Sequence, residues 1–354
     1  MIKYIIFAIL IEILFLTGSS VANEKSDIST NNQIMQIDTV GILDNHIPVC
    51  QPTSNNKVRC HARVIVDNNG KPQAKKLPYG YGPSQFLGAY SLNGITTSNQ
   101  IIAIIGAYDH PNISSDLRTY SKMFHISVLK ECPVSTGIVK SPCFQKVDQR
   151  GGTLYPKTDS FWALETSLDV EIAHAICQNC NILLIEADSN SYSDMMTAID
   201  RAVAMGATVI SNSWGSGEFL GEYVFDDHFN VPGIVITFSS GDMGFGTSYP
   251  AASPYVTAVG GTTLSIISNS YINETAWSGT GSGCSLYESQ PSFQNNLGLI
   301  GCSNRIIADI SADADPRTGA AVYNSVPIFG MSGWFRLGGT SLSSPIIAGV
   351  YALA

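Results

Sequence analysis

The decapeptide GIVITFSSGD, residues 233–242, carries the pattern that decides the fold of this chain. An apolar run rich in β-branched residues ends in a turn that contains a glycine and an aspartate. Related runs occur at QIIAIIGAY (100–108), NILLIEAD (181–188) and ATVISNSW (207–214). Near-continuous apolar runs of this length are typical of strands buried on both faces of a parallel sheet.

Two segments with helical spacing of apolar residues lie between these strands. They are SFWALETSLDVEIAHAI (160–176) and YSDMMTAIDRAVAMG (192–206). Strands that alternate with helices predict an α/β fold, a parallel sheet flanked by helices on both faces. Because binding sites in such sheets lie at the carboxyl ends of the strands, the residues that follow each apolar run are the first candidates for function.

The composition is that of a folded protein without affinity for nucleic acid. The chain has 354 residues, of which 44% are hydrophobic and only 13% are charged, and its formal net charge is −9. Phosphate binding needs clustered cations, and the 19 lysines and arginines form no basic run. We therefore expect no nucleic-acid partner.

The first residues predict export from the cytoplasm. In residues 1–22, Lys3 precedes an apolar stretch too short for an ordinary transmembrane helix, and Ser20 and Ala22 fit a signal-peptide cleavage site. Residues 23–77 are polar and Asn-rich without sustained periodicity, and we interpret them as a leader or propeptide remnant. The main folded domain is predicted to begin at residue 78, and no later segment reaches membrane-spanning length.

Eight cysteines in an exported chain predict disulfide bonds. Their spacing groups them into four local pairs: Cys50 with Cys60, Cys132 with Cys143, Cys177 with Cys180, and Cys284 with Cys302. The alternative for CQNC (177–180) is a redox or zinc pair. No second CxxC accompanies it, so structural bridges are the preferred interpretation.

The motif GGTSLSSP (338–345) allows two interpretations of Ser341. A hydroxyl residue, followed by a proline and an apolar helical run, is a common helix start. The same arrangement could mount a nucleophile where a strand enters a helix, with the glycines giving a substrate backbone room to approach. The motif alone favours the helix start.

Glu165 and Asp169 lie four residues apart on the 160–176 helix, so their side chains share one face. If that face is buried, the pair can share a proton and one pKa rises. The alternative is a solvated acidic face that also includes Glu171. Trp162 and Leu168 nearby favour burial.

Two strand ends carry further candidates. Asp242 follows the strand GIVIT in a glycine-rich loop, where a protonated carboxyl could donate a hydrogen bond to an oxyanion, although aspartate is also common in turns. Ser213, Trp214 and Gly215 follow another strand and could offer backbone groups to an extended peptide. Core packing is the alternative for Trp214.

The histidines offer no recognisable general base. The six histidines occur outside any HGTH-like motif, and GxSxG, HExxH and Walker motifs are absent from the sequence. His174 is on the same helix as the carboxyl pair, but a lone helical histidine is more often a packing residue. A nucleophilic serine would therefore need a base other than histidine, and Glu165 is available.

Taken together, these motifs resemble the sedolisin, or serine-carboxyl, peptidases, which have a subtilisin-like fold. GGTSLSSP, SSGDMG (239–244), the Glu165–Asp169 helix and YGPSQFLGAYSLN (81–93) occur in the order typical of that family. The resemblance covers roughly residues 78–354. It implies that Ser341 is the acylated nucleophile, Glu165 its general base, Asp169 the carboxyl that orients Glu165, and Asp242 part of the oxyanion hole.

The resemblance implies peptide hydrolysis at acidic pH by a secreted monomer whose partner is a polypeptide substrate. A carboxylate with a pKa of about 4 remains a base in acid, where imidazole is protonated. A tripeptidyl-peptidase of the same family and a catalytically inactive peptide-binding relative remain alternatives.

The sequence also departs from the family pattern. Members usually carry a long folded prodomain, whereas only residues 23–77 precede the domain here. Their calcium site lies in a segment that would follow Ala354, so no calcium ligand and no other cofactor can be assigned. We therefore expect the subtilisin-like domain to be truncated at its C-terminus.

Overall fold

The structure is a computed structural model that describes residues 45–53, 57–97, 99–132, 142–295 and 301–354. The predicted signal peptide and the first part of the predicted leader lie outside the described residues. No described helix combines the length and hydropathy needed to cross a bilayer.

The elements alternate as the sequence predicts. The helices are α1 (Pro83–Ala89), α2 (Ile113–Met123), α3 (Ser160–Ile176), α4 (Tyr192–Ala204) and α5 (Thr340–Leu353), with 3₁₀ turns at Glu222–His228 and Ser292–Gln294. The strands are β1 (His46–Pro48), β2 (Arg59–Cys60), β3 (Arg63–Ile65), β4 (Ile101–Ala107), β5 (Lys130–Glu131), β6 (Cys143–Asp148), β7 (Asn181–Ala187), β8 (Val209–Asn212), β9 (Trp214–Gly217), β10 (Val235–Ser239), β11 (Ser248–Tyr249), β12 (Thr257–Ile267), β13 (Ser270–Ala276), β14 (Gly283–Ser289), β15 (Asn304–Ile307), β16 (Ile310–Asp313), β17 (Ala320–Ile328) and β18 (Met331–Gly338).

A nine-stranded sheet forms the centre, in the order β13-β12-β10-β8-β4-β7-β6-β5, with β16 also beside β12. The four strands read from the apolar runs, β4, β7, β8 and β10, are neighbours and parallel. Among the strand pairs of this sheet in the described residues, only β12 and β13 run antiparallel. Smaller sheets have the orders β1-β3-β18-β17, β11-β9-β2 and β14-β15.

Helices cover both faces of the central sheet, as predicted. Ile102 and Ile104 of β4 share a buried cluster with residues of α2, α3 and α5, whereas Ala103 and Ile105, which point the other way, share one with residues of α4. The alternation follows from the two-residue period of side chains along a strand.

Helices α3 and α5 pack closely against each other. A β-carbon added at Gly349 of α5 would lie 2.5 Å from Cγ2 of Ile176 at the end of α3, so only glycine permits this approach. The contact sets the spacing of the two helices that carry Glu165 and Ser341.

All four predicted cysteine pairs are disulfides in the structure, with sequence separations of 10, 11, 3 and 18 residues. The described residues include no free cysteine. The CQNC pair is therefore a structural bridge within a tight loop.

The described part of the predicted leader, residues 45–53 and 57–77, is integrated into the fold. It contains β1, β2 and β3, and Val58, Ala62 and Val64 are buried in the main core. The predicted leader as a whole shows no sustained periodicity. Residues 58–64, VRCHARV, nevertheless alternate apolar with polar or aromatic side chains, which is the two-residue period of a strand.

Candidate active site

Ser341 lies at the start of α5, where β18 ends. Gly339 joins the two elements with φ of 90°, a left-handed conformation that favours glycine. The Ser341 side chain is fully buried, and its hydroxyl donates a hydrogen bond to the carbonyl of Ser213 at 3.2 Å. Ser341 is the second residue of α5, whose N-cap is Gly339, so its side chain does not cap the helix. The position of its hydroxyl beside Ser213 is compatible with the nucleophile interpretation, which stays a prediction.

The carboxyl pair lies inside the core rather than on a solvated face. Helix α3 is capped by Asp159, whose side chain accepts hydrogen bonds from the backbone of Phe161 and Trp162. Glu165 and Asp169 are 1% and 2% exposed, and Glu171, the third carboxyl of the alternative acidic face, is fully buried as well. The acidic-face interpretation is therefore wrong.

Burial raises the pKa of both carboxyls of the pair. Loss of water raises the pKa of Glu165 well above its ordinary value, and the charge of Asp169 raises it further, while the Ser341 hydroxyl offsets part of the shift. Burial also raises the pKa of Asp169, and the Ser213 hydroxyl partly offsets this. The pair therefore holds a proton that a solvated pair would lose in mild acid.

Asp242 follows the end of β10 and lies beside Thr340, the residue before Ser341. Its Oδ1 accepts hydrogen bonds from the Thr340 backbone N–H at 2.8 Å and the Thr340 hydroxyl at 2.9 Å. Its Oδ2 is buried and has no hydrogen-bond partner among the described residues. Burial raises the pKa of Asp242 to about 6, although nearby Arg63 limits the increase. Below that pH, Oδ2 carries a proton that it can donate.

Ser213, Trp214 and Gly215 follow β8 and begin β9. Trp214 is 1% exposed, and its indole N–H donates to the carbonyl of Ile105 at 3.1 Å. The side chain thus anchors β9 to the central sheet, which leaves the backbone of Ser213 and Gly215 on the cleft side. Core packing and a backbone role are both compatible with this position.

The cleft is filled by a part of the chain that the sequence analysis did not place there. We call residues 57–64 the cleft segment. Within it, β2 pairs antiparallel with β9, so that Arg59 lies opposite Gly215 and Cys60 opposite Trp214. Two residues separate β2 from β3. Strand β3 pairs with β18, with Val64 opposite Leu337. The segment therefore crosses from one wall of the cleft to the other and covers Ser341.

Backbone groups of the cleft segment bind to the predicted site residues. The N–H of His61 donates to the carbonyl of Ser213 at 3.1 Å, and the N–H of Ala62 donates to Oε2 of Glu165 at 3.1 Å. The same Ser213 carbonyl accepts the Ser341 hydroxyl. The structure thus brings Ser341, Glu165, Asp242 and Ser213 around one extended backbone.

Thr340 is a further site residue that the sequence analysis missed. Besides its bonds to Asp242, its hydroxyl accepts the N–H of Gly241 at 3.1 Å, so it ties the β10 loop to the start of α5. Its position next to Ser341 in GGTSLSSP was the available signal.

The histidines outside the cleft segment do not take part. His174 is buried and its Nε2 bonds to the carbonyl of Ser127 at 2.6 Å, and His110 bonds to Ser167. His174 is thus a packing residue, as the sequence analysis preferred. The described residues contain no cluster of three or more His, Cys, Asp or Glu side chains suited to a metal ion.

Comparisons with known proteins identify the family of the chain. The model of the subtilase family matches residues 159–354. Sedolisin from Pseudomonas sp. (strain 101) is 29% identical over 335 residues, which cover 84% of this chain and 54% of that protein. Kumamolisin from Bacillus sp. (strain MN-32) is 27% identical over 333 residues, 83% of this chain and 56% of that protein. The chain thus spans about half the length of these two relatives.

A solved structure is similar over most of the described chain. It is Pseudomonas sedolisin, a serine-carboxyl proteinase, in complex with two molecules of pseudo-iodotyrostatin. The two chains share 28% identity with a TM-score of 0.63, and the match covers 78% of this chain and 80% of that one. The chain therefore belongs to the subtilase family and, among the proteins that have this fold, to the sedolisin, or serine-carboxyl, peptidases.

Proposed function

We propose that the protein is a secreted serine-carboxyl endopeptidase that hydrolyses peptide bonds at acidic pH as a monomer. The observation that carries the proposal is the convergence of the Ser341 hydroxyl, the buried Glu165 carboxyl and the buried Asp242 carboxyl on one extended backbone in the cleft. A binding protein would not need a nucleophile, a base and an acidic donor in one place.

The geometry supports a two-step acyl transfer. Glu165, when ionised, takes the proton of the Ser341 hydroxyl as its oxygen attacks the substrate carbonyl, and the neighbouring Asp169 raises the pKa of Glu165 through its charge. Protonated Asp242 donates to the developing oxyanion from Oδ2, since Oδ1 is already used by Thr340. Glu165 then returns its proton to the leaving amine, and water repeats the sequence in reverse to release the acid.

Two groups support the proposal that the protein is active in acid. The base is one carboxyl of a pair that shares a proton, and Glu165 acts as the base in the form in which Asp169 holds that proton. Asp242 can donate only while it is protonated, and its pKa of about 6 makes it protonated in acid and ionised at neutral pH. We therefore expect activity to fall as the pH rises through about 6.

The length of the cleft favours an endopeptidase over a tripeptidyl-peptidase. A tripeptidyl-peptidase must close its cleft beyond three residues on the amino side of the bond that it cuts. Here the cleft segment lies along the cleft for more than three residues. The N–H of Val58 donates to the carbonyl of Asn190 at 2.9 Å, and Lys57 forms a β-bridge with Ser191. The cleft thus accommodates at least five residues, 57–61, on the amino side of Ala62, whose N–H bonds to Glu165.

Secretion is supported by the predicted signal peptide and by the four disulfides. Such bonds form in oxidising compartments and are rare in the cytosol.

Buried carboxyls predict a fold that is most stable in acid. Burial raises the pKa of Glu171 and Asp313 well above the usual range, and that of Glu186 to about 8. A carboxyl whose pKa is higher in the folded than in the unfolded state contributes fully below its unfolded value, and this contribution is lost as the pH rises through the folded value. For Glu186, stability therefore falls between about pH 4.5 and 8.

We expect the midpoint of thermal unfolding of Ser341→Ala protein to be ~5 °C or more lower at about pH 8 than at about pH 4. Calorimetry at matched ionic strength measures this difference, and the alanine variant prevents self-digestion. An equal or higher midpoint at about pH 8 would contradict the neutral state of the buried carboxyls.

Hydrolysis of denatured casein by the full chain tests the proposed function. We expect hydrolysis at about pH 4 and none at about pH 8, and a loss of ~10³-fold or more in Glu165→Gln, which cannot accept the serine proton. Glu131→Gln is the matched control, because Glu131 is exposed on β5, and it should behave as the wild type. Activity confined to about pH 8, or an active Glu165→Gln variant, would refute the carboxylate base.

A further inference from the structure

A proline interrupts the hydrogen bonding of α5 at the residue that carries the nucleophile. Pro345 lies inside the helix, four residues after Ser341. In an α-helix the N–H of each residue donates to the carbonyl four positions earlier, and proline has no N–H. The Ser341 carbonyl therefore cannot receive the bond that the helix would otherwise give it. Because an unpaired carbonyl in the interior costs free energy, another donor is expected at this place.

The side chain of Ser213 provides that donor. Its hydroxyl donates to the Ser341 carbonyl at 3.4 Å, and the Ser341 hydroxyl donates to the Ser213 carbonyl at 3.2 Å. Each residue thus gives its hydroxyl to the backbone carbonyl of the other, and both are fully buried. We call Ser213 and Ser341 the reciprocal serine pair. It joins the first turn of α5 to the residue between β8 and β9.

The Ser213 hydroxyl also interacts with the carboxyl of Asp169 and opposes the effect of burial on the pKa of that carboxyl. A hydroxyl donates one proton and can accept at its two lone pairs. When Asp169 is protonated, its O–H can donate to Ser213 while Ser213 donates to the Ser341 carbonyl. The hydroxyl then connects the backbone of the nucleophile to the carboxyl pair in the form in which Glu165 acts as the base.

A second hydroxyl of α5 makes a similar bond to the adjacent carbonyl. Ser344 donates to the carbonyl of Asn212, the last residue of β8, at 3.2 Å, and its Oγ lies 3.0 Å from the hydroxyl of Thr237 on β10. These contacts hold α5 against the central sheet without touching the nucleophile or the carboxyl pair. Ser344 therefore offers a matched comparison for the hydroxyl of Ser213.

We infer that the side chain of Ser213 is a positioning residue for peptide hydrolysis. The inference rests on the proposed function and goes beyond the backbone role that the sequence suggested for this residue. Ser213 acts through Ser341, because its hydroxyl replaces the N–H that Pro345 lacks and fixes the carbonyl of the nucleophile. The Ser341 side chain, which also interacts with Glu165, thereby keeps its direction toward the base. Rates depend steeply on such alignment of the reacting groups.

Steady-state assays of the full chain with a chromogenic peptide at about pH 4 test the positioning role. We expect Ser213→Ala to lower kcat by ~10-fold or more with KM within about threefold, because the Ser213 carbonyl stays available to the substrate. Pro345→Ala supplies an N–H to the Ser341 carbonyl, so in that background Ser213→Ala should lower kcat by no more than about threefold. Ser344→Ala, the matched control, should keep kcat within about threefold of the wild type.

Thermal unfolding tests the same contact without relying on activity. Calorimetry at about pH 4 compares variants that all carry Ser341→Ala, which removes the nucleophile and keeps the backbone carbonyl. We expect Ser213→Ala to lower the midpoint by ~2 °C or more. When Pro345→Ala is also present, the decrease should be less than half as large, because the helix then supplies a donor to this carbonyl.

The outcomes separate the inference from the proposed function. Equal effects of Ser213→Ala with and without Pro345→Ala would refute the link between its hydroxyl and the Ser341 carbonyl. An unchanged kcat in Ser213→Ala, or an equal loss in Ser344→Ala, would refute the positioning role and leave the peptidase in place. If the wild type hydrolyses neither casein nor the peptide at about pH 4, the proposed function fails and the positioning role with it, whereas unfolding still reports on the hydrogen bond.

Discussion

Replacing Ser341 by alanine is expected to lower kcat for peptide hydrolysis by about 10⁵- to 10⁶-fold, close to complete loss. The variant keeps the fold, because it loses only a hydroxyl that donates to the Ser213 carbonyl at 3.2 Å and interacts with Glu165, and a methyl group fits in its place. It loses the only atom that the mechanism uses to form the acyl-enzyme. Burst-phase and steady-state assays of a chromogenic peptide at about pH 4 measure the change.

Ser343→Ala is the matched control for this prediction. Ser343 lies two residues further along α5, is also fully buried, and donates to the Thr340 carbonyl at 3.0 Å. Its loss removes a hydrogen bond of the same kind without touching the cleft, so kcat should stay within about threefold of the wild type. Equal losses in both variants would show that packing of the helix start, and not the Ser341 hydroxyl, governs the activity.

Asp242→Asn is expected to remain active in acid and to extend activity to neutral pH. The amide oxygen can accept the bonds from Thr340 that Oδ1 now accepts, and the amide nitrogen can donate from the position of Oδ2. The asparagine thus mimics protonated Asp242 but does not titrate. The fall in wild-type kcat/KM above about pH 6, the pKa of Asp242, should therefore move to higher pH in the variant.

Asp242→Ala completes the test, because it removes the donor at every pH. It should lower kcat by ~10²- to 10³-fold, the usual cost of losing one oxyanion donor. A pH–rate profile of kcat/KM for the three proteins measures the effects. If Asp242→Asn keeps the wild-type fall near pH 6, another group titrates there and the role of Asp242 is wrong.

The sequence was sufficient to predict the elements that its local periodicity encodes. The apolar runs gave β4, β7, β8 and β10, and the four-residue spacing put Glu165 and Asp169 on one helical face. Candidates at strand ends, Asp242 and Ser213 among them, converge because parallel strands present their carboxyl ends at one edge. The resemblance to sedolisins predicted which of these groups belong to one active site.

The cleft segment could not be predicted in the same way. Strand β2 has two residues, and its partner β9 lies more than 150 positions later, so nothing local specifies the pairing. The alternation in VRCHARV indicates a strand but not its neighbour. Burial of Glu165 likewise depends on Ala62, which covers it from a distant part of the chain.

The contact between Gly349 and Ile176 has a consequence for how this protein could evolve. The nucleophile and its base belong to two helices whose separation is set by a glycine against an isoleucine, well away from the cleft. A larger residue at that contact would push the helices apart and lengthen the path of the proton before the molecule unfolds. The packing distance between α3 and α5 at this contact therefore governs both the alignment of the catalytic groups and the substitutions that the contact tolerates.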